Sequence, residues 1–399
     1  KMPPQAGKVI DVKKKFILPG IIDAHVHLRD PGYPNKEDFY SGTCAAAAGG
    51  VTTIIDMPNT KPPTITLKTF RQKRKIAEKK AIVDFALASG VTSRTMQEIP
   101  KLAKEGAIFF GEIYLANSGN LLVNEATFVK ALSIIKKVNS IAAVHAESEN
   151  IRSTLLKVYK KELDPLAHLK TRPNIAEADA VYRTILLLGR IRARTHFCHI
   201  STQESIEILK QAKQKLPITV EVTPHHLLLT FQELKNLKGI AKTNPPLRSE
   251  RDKEALWKGV KNGLIDIIAS DHAPHTKAEK ESDNIWEIPS GIPGLETMLM
   301  LMLTMVNKKR LTLTKLVQLT SENPAQIFGL YPIKGTLKTN SDADFVVVDI
   351  KQKTTIKGEA FHSKAKFTPF NGWHVQGVPI MTFVRGKLVM ENFFFRKVL

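Results

Sequence analysis

The sequence predicts an α/β protein: a (β/α)8 TIM-type barrel with a small β-sandwich subdomain formed from both chain ends. Three observations predict it. Eight short apolar, β-branched runs recur along the chain before residue 271. Stretches of helical period separate most of them. Histidines and carboxylates gather just after the runs, at the strand ends where barrels carry their active sites.

The runs lie at 16–28, 51–57, 81–88, 108–116, 141–146, 195–200, 218–229 and 265–270. Amphipathic helices fit between them at 36–48, 64–79, 124–137, 174–188 and 203–213. Strict alternation also suits an open doubly wound sheet. No Gly-x-Gly-x-x-Gly or Gly-Lys-Ser/Thr loop follows any run, which weighs against that fold. Further on, 342–350 (DADFVVVDI) and 381–390 (MTFVRGKLVM) read as short strands divided by polar turns. With 8–18 they assemble the subdomain, so the expected division is 1–18 with 335–399 for the sandwich and 19–334 for the barrel. The N-terminal share of the sandwich is short. The stretch 276–292 is polar and aperiodic and follows the last barrel strand, the place of an active-site loop.

Composition narrows the class. Of 399 residues 43% are hydrophobic and 24% charged, which excludes a mainly disordered chain and supplies a large core. No run of about 18 apolar residues exists, so no membrane-spanning helix is expected. Residues 1–20 lack the apolar centre of a secretory signal, and two cysteines, Cys44 and Cys198, suit a reducing compartment. The expected location is cytoplasmic. The chain opens on Lys1 rather than methionine, so a preceding segment is expected to be missing. The net charge of +21 raises the question of nucleic acid. The lysines are scattered through helical stretches such as 68–80 (KTFRQKRKIAEKK), which holds one aromatic, Phe70, and no stacking pattern. The expectation is a solvated basic surface able to steer anionic substrates, with no nucleic-acid partner.

His25-x-His27 closes the first run. Residues two apart on a strand share a face, so both imidazoles can reach one metal ion. The fifth run ends Val-His145-Ala-Glu147, the sixth Cys198-His199-Ile-Ser201, the last Ser270-Asp271-His272-Ala-Pro-His275. A single His-x-His arises by chance. Five donors at one end of a barrel (His25, His27, His145, His199 and Asp271) form a ligand set suited to zinc. Arg29, two past His27, is expected to face the same cavity and can offer a two-pronged guanidinium to a carboxylate. Lys36 and Asp38 read as surface and helix-start residues. His225 and His226, read as strand neighbours, are expected to send at most one ring inward.

These motifs resemble those of the amidohydrolase superfamily, and of its dihydroorotases in particular. The resemblance rests on Gly20-Ile-Ile-Asp-Ala-His25-Val-His27-Leu-Arg29-Asp30-Pro-Gly, Asp56-Met-Pro-Asn59-Thr, Lys242-Thr-Asn244-Pro-Pro-Leu-Arg248, Ala269-Ser-Asp271-His-Ala-Pro-His275 and Ser290-Gly-Ile-Pro-Gly-Leu-Glu296-Thr. It runs from about Val9 to about Lys387. It implies reversible, zinc-dependent hydrolysis of L-dihydroorotate to N-carbamoyl-L-aspartate in pyrimidine biosynthesis, with Asp271 as proton shuttle. It implies that Arg29, Asn59 and His275 hold the unreacting carboxylate, and that Asn244 and the backbone at Pro293 and Gly294 meet the ring. Allantoinases and hydantoinases share the histidines but lack the Arg and Asn pair, so both residues point to an acidic substrate. Many relatives carry a carboxylated lysine on the fourth strand that bridges two metals. Here Glu112 stands at that place, in Phe110-Gly111-Glu112. Its carboxylate needs no modification but has a shorter stem. One firmly held zinc ion is expected, with a second left open. The competing readings are another cyclic amidase, such as an allantoinase, and a catalytically silent barrel that scaffolds a partner enzyme. The resemblance leaves open a homo-oligomer or association with aspartate transcarbamoylase.

Overall fold

The computed structural model describes residues 9–116 and 121–392 and the backbone of Phe394–Phe395. Residues 1–8 and 396–399 of the expected end segments lie outside the described residues.

The first apolar run serves two sheets. Phe16–Pro19 (β1) joins an antiparallel sheet, and Ile21–Val26 (β2) enters the barrel. The break falls at Gly20, whose missing Cβ would otherwise sit 2.1 Å from Thr52 Oγ1. β2 pairs in parallel with Val51–Asp56 (β3), and β3 with Asp84–Leu87 (β4). A second parallel sheet follows as Phe110–Tyr114 (β5), Ile141–His145 (β6), Arg194–Phe197 (β7), Ile218–Val222 (β8) and Ile267–Ile268 (β9). Parallel bridges Ser89↔Phe110 and Val26↔His272 join the two sheets at both edges, so eight strands run round a ring. Ala24, Ile55, Ala143 and Ile267 belong to one buried cluster. Their strands are not all neighbours, so these side chains meet through the interior of the ring.

Helices cover the outside and start where the sequence supplies caps. Asp38 caps Phe39–Ala48 in a capping box with Ser41, and Thr66 caps Leu67–Lys80 in the same way. The run 218–229 is not one strand. β8 ends at Val222, Thr223 caps a helical turn over Pro224–Leu228, and Pro224 sits at its start. Proline favours that position because its missing N–H would have no intrahelical partner there. His225 and His226 therefore lie on a helix, where strand alternation does not govern them.

Phe345–Thr355 (β10), His374–Val384 (β11), Lys387–Glu391 (β12) and Phe394–Phe395 (β13) complete the antiparallel sheet in the order β1-β10-β11-β12-β13. Both chain ends thus contribute to it. The helix Met298–Asn307, apolar nearly all round and buried, packs against β11 and ties this sheet to the barrel. No helix among the described residues is long and apolar enough to cross a membrane.

Candidate active site

Six buried donor groups converge at the C-terminal mouth of the ring. His25 comes from β2, His27 from just beyond it, Glu112 from β5 and His145 from the end of β6. His199 and Asp271 follow β7 and β9. His25 Nε2 lies 3.4 Å from both Glu112 Oε2 and Asp271 Oδ1. His27 Nε2 lies 3.2 Å from Asp271 Oδ1 and 3.6 Å from Glu112 Oε2. The other oxygen, Glu112 Oε1, is 3.2 Å from His145 Nδ1 and 2.8 Å from His199 Nε2. Each oxygen of Glu112 thus faces one pair of histidines.

The short stem of Glu112 reaches this place because β5 is irregular there. Its register against β6 shifts between Phe110 and Ile113, a bulge that re-aims a side chain. Gly111 has a φ of +154°, and a Cβ on it would lie 2.3 Å from the Ala143 carbonyl oxygen. Only glycine lets the two strands come so close. Tyr114, on the same strand, donates its hydroxyl to Glu112 Oε2 at 2.7 Å.

Three of the four histidines have the outward ring nitrogen engaged by an acceptor. His25 Nδ1 donates to Glu221 Oε1 at 2.8 Å, His27 Nδ1 to Asn59 Oδ1 at 2.7 Å, and His145 Nε2 to Glu147 Oε2 at 2.7 Å. A proton fixed outside leaves a lone pair inside, the tautomer a metal requires. His25 Nε2 is buried and makes no hydrogen bond despite its two carboxylate neighbours. Donor atoms about 2.0–2.1 Å from one tetrahedral ion lie about 3.4 Å apart. The contacts of His25 and His27 with Asp271 and Glu112 have that spacing, so the residues fit a divalent cation.

Buried side by side, these groups shift one another's proton affinity. Burial presses the His145 imidazolium down, but hydrogen bonds to Glu112 and Glu147 outweigh it and raise the pKa to about 9. Burial opposes the His25 imidazolium too, and Glu221, Glu112 and Asp271 overcome it and raise the pKa well above the ordinary value. Burial works against the charged form of Asp271, yet His25, followed by His27, holds its carboxyl below the usual range.

A cleft of about 430 Å³ opens over this cluster, large enough for a small molecule. Arg29, Asn59, Asn244, His275, His27, His145, His199, Glu112 and Asp271 line it. His25 lies beneath the lining. Pro293 and Gly294 are outside it. Gly294 N donates to His272 Nδ1 at 3.1 Å, and the wall is formed instead by Pro289, Ser290 and Gly291. A larger cavity, about 850 Å³, is an apolar groove on the outer helices near Phe128 and Leu186 and contains none of the six donors.

One corner of the cleft is cationic. Arg29 Nε donates to the Pro274 carbonyl at 3.2 Å, and its Nη2 lies 3.3 Å from His275 Nε2. Among the described residues no carboxylate pairs with Arg29. Lys36, read from sequence as a surface residue, turns into the same corner. Its ammonium lies 3.3 Å from His275 Nδ1 and 2.6 Å from Glu279 Oε1. Burial, then the charges of Arg29, Lys280 and Lys36, drive the His275 pKa far down, so the ring stays neutral. Sequence reasoning also missed Tyr114 and Glu221. The signal for Glu221 was a carboxylate inside the otherwise apolar strand Ile218–Val222.

Comparison with known proteins agrees with this architecture. The amidohydrolase family matches residues 16–389. A dihydroorotase of Methanosarcina acetivorans is 44% identical over 394 residues, covering 96% of this chain and 84% of that protein. An L-hydantoinase of Paenarthrobacter aurescens is 37% identical over 397 residues, covering 97% of this chain and 87% of that protein. Among solved structures, the L-hydantoinase (dihydropyrimidinase) from Arthrobacter aurescens superposes with a TM-score of 0.96 at 36% identity, covering 99% of this chain and 89% of that one. Barrel, donor cluster and relatives agree: the chain belongs to the amidohydrolase family, among its cyclic amidohydrolases.

Proposed function

We propose that the chain interconverts L-dihydroorotate and N-carbamoyl-L-aspartate, a ring-opening and ring-closing step of pyrimidine biosynthesis. The observation that carries this reading is the cationic corner. Among the described residues no carboxylate pairs directly with Arg29, which stands beside neutral His275 and the Lys36–Glu279 pair. Asp271, Asp56 and Glu279 act on the Arg29 charge only from a distance, so its guanidinium gains a direct partner when a ligand brings a carboxylate. A substrate with a free carboxylate does so. The amide oxygen of Asn59 is taken by His27, which leaves its NH2 group for the same ligand. The similarity to dihydroorotases supports the same substrate.

His25, His27 and Asp271, with Glu112, would hold one zinc ion, and Glu112 with His145 and His199 would hold a second. Bound zinc supplies polarisation of an amide carbonyl and acidification of water. In hydrolysis, Asp271 accepts the proton of the attacking water. It passes that proton to the ring nitrogen as the amide C–N bond breaks. In ring closure Asp271 takes the ureido proton as the nitrogen attacks the side-chain carboxyl carbon, and returns it to the oxygen that leaves as water. Glu221 and Glu147, behind His25 and His145, keep the rings oriented and their protons outward.

The similarity to L-hydantoinases favours one other reading, hydrolysis of an uncharged cyclic ureide. Ultraviolet assays with dihydroorotate, hydantoin and allantoin side by side, on protein of measured metal content, separate the two. The expected result is turnover of dihydroorotate far above that of the neutral rings. Turnover of hydantoin or allantoin alone would reject the carboxylate argument.

A further inference from the structure

The aperiodic stretch after the last barrel strand contributes the pocket wall Pro289–Gly291, and two buried lysines hold that wall in place. Lys242 follows the short 3-10 turn Lys238–Ala241, and Lys280 ends the short helix Lys277–Lys280. Only 5% and 2% of their surfaces are exposed. Among the described residues neither ammonium pairs with a carboxylate; both bond to backbone carbonyls. Lys242 Nζ donates to Ile285 O at 2.6 Å and Ile288 O at 2.5 Å. Lys280 Nζ donates to Pro289 O at 2.8 Å, Gly291 O at 2.9 Å and, more weakly, Lys242 O at 3.4 Å.

An irregular buried segment has carbonyls that no helix or sheet satisfies. A lysine ammonium carries three donors on one atom and can gather several of them. Lys280 grips the residues on either side of Ser290. That leaves the Ser290 carbonyl 3.1 Å from His275 Nε2, and its hydroxyl donating to Asn244 Oδ1 at 3.1 Å. Gly291 packs so tightly on the segment after β9 that a Cβ would lie 2.4 Å from the Ala273 carbonyl oxygen. The wall therefore links the carboxylate corner, through His275, to the ring contact, through Asn244. We propose that Lys242 and Lys280 are positioning residues that clamp 285–291 as the substrate-facing wall of the cleft. The kinetic part of this inference rests on the substrate reading above; the clamp itself does not.

The clamp has an electrostatic side as well. Burial, followed by the charges of Lys242 and Arg29, pushes the Lys280 ammonium well down, and burial, then Arg172, brings Lys242 to about 8. A neutral amine keeps two N–H donors, so the wall survives partial deprotonation.

The test uses zinc-loaded enzyme and the variants Lys280→Met and Lys242→Met, which keep length and remove the donors. Hydrogen exchange by mass spectrometry should rise about tenfold or more across 285–291 and stay unchanged in the barrel strands. KM for dihydroorotate should rise about tenfold with kcat within about threefold and zinc content unaltered. Unchanged exchange and KM would overturn the clamp. So would a joint loss of kcat, zinc and global protection, which marks a merely structural role. If the variants do not fold, reductive methylation of the unaltered protein decides. Both lysines should resist while exposed lysines react, and modification at surface rates would overturn the inference. If wild type leaves dihydroorotate untouched, the substrate reading fails and the exchange data still judge the clamp.

Discussion

Replacing Arg29 by methionine isolates the carboxylate contact from the chemistry. The methionine fills much of the space of the arginine stem without its donors. In the structure Nε is taken by the Pro274 carbonyl at 3.2 Å and Nη2 lies 3.3 Å from His275 Nε2, so Nη1 is left to meet a ligand. One charge-assisted hydrogen bond contributes roughly 1.5–3 kcal/mol. At about 1.4 kcal/mol per factor of ten, its loss weakens binding about 10- to 150-fold. The carboxylate is distant from the amide being cleaved, so ground state and transition state lose the contact equally. KM should therefore rise by that factor with kcat nearly constant. Thermal stability should not fall, because among the described residues the arginine has no directly paired carboxylate to strand. The assay is initial-rate kinetics on dihydroorotate, with hydantoin as a neutral control and a melting curve for each protein. An unchanged KM for dihydroorotate, or an equal loss on hydantoin, would refute the assignment of Arg29 to the substrate carboxylate.

Three other outcomes follow from the same geometry. Asp271→Ala should lower kcat about 10²- to 10⁴-fold, the usual reach of a general acid–base group, and near-normal steady-state turnover would remove it from the proton transfer. Glu221→Gln keeps the shape beside His25 but takes away the charge behind its Nδ1; zinc affinity should fall about 10- to 100-fold in chelator competition, and an unaltered affinity would show that Glu221 does not orient the ring. Without metal, His145 holds its proton up to about pH 9, so below that value zinc must displace it. Apparent zinc affinity should therefore increase as pH rises from 6 toward about 9, and a flat profile would contradict the hydrogen bonds drawn between His145 and its two glutamates.

Much of this molecule is readable without coordinates because its strands are short, apolar and evenly spaced. The period of two and the period of 3.6 each leave clear marks. The places where reading fails are those where the local pattern is ambiguous. At 16–28 a continuous apolar run conceals a change of sheet, and only the crowding of Gly20 against Thr52 reveals it. At 218–229 apolarity continues through a helical turn, and the better signal is Thr223-Pro224, a cap followed by a first-turn proline. The six donor residues are legible because ionisable groups at the ends of apolar strands stand out. Lys36 is not, because a lysine in a polar loop looks the same whether it faces water or a cleft. The wall Pro289–Gly291 is not legible either, because an aperiodic segment gives sequence reasoning no register.

The same distinction explains how a glutamate can stand where the family resemblance leads one to expect a longer, modified lysine. Side-chain length suggests that Glu112 falls short of the histidines. Length is measured from the backbone, however, and here the backbone itself is displaced. The bulge between Phe110 and Ile113 turns the residue inward, and Gly111, lacking a Cβ, lets β5 lie against Ala143. The result is a carboxylate with one oxygen toward His25 and His27 and the other toward His145 and His199. Tyr114 and the four imidazoles surround it, so its charge is held by neighbours on every side. A strand irregularity that costs sheet pairing is thus tied to a residue that links both halves of the donor cluster. The glutamate and the glycine before it make a single structural unit, and the chemistry of the site rests on the pair.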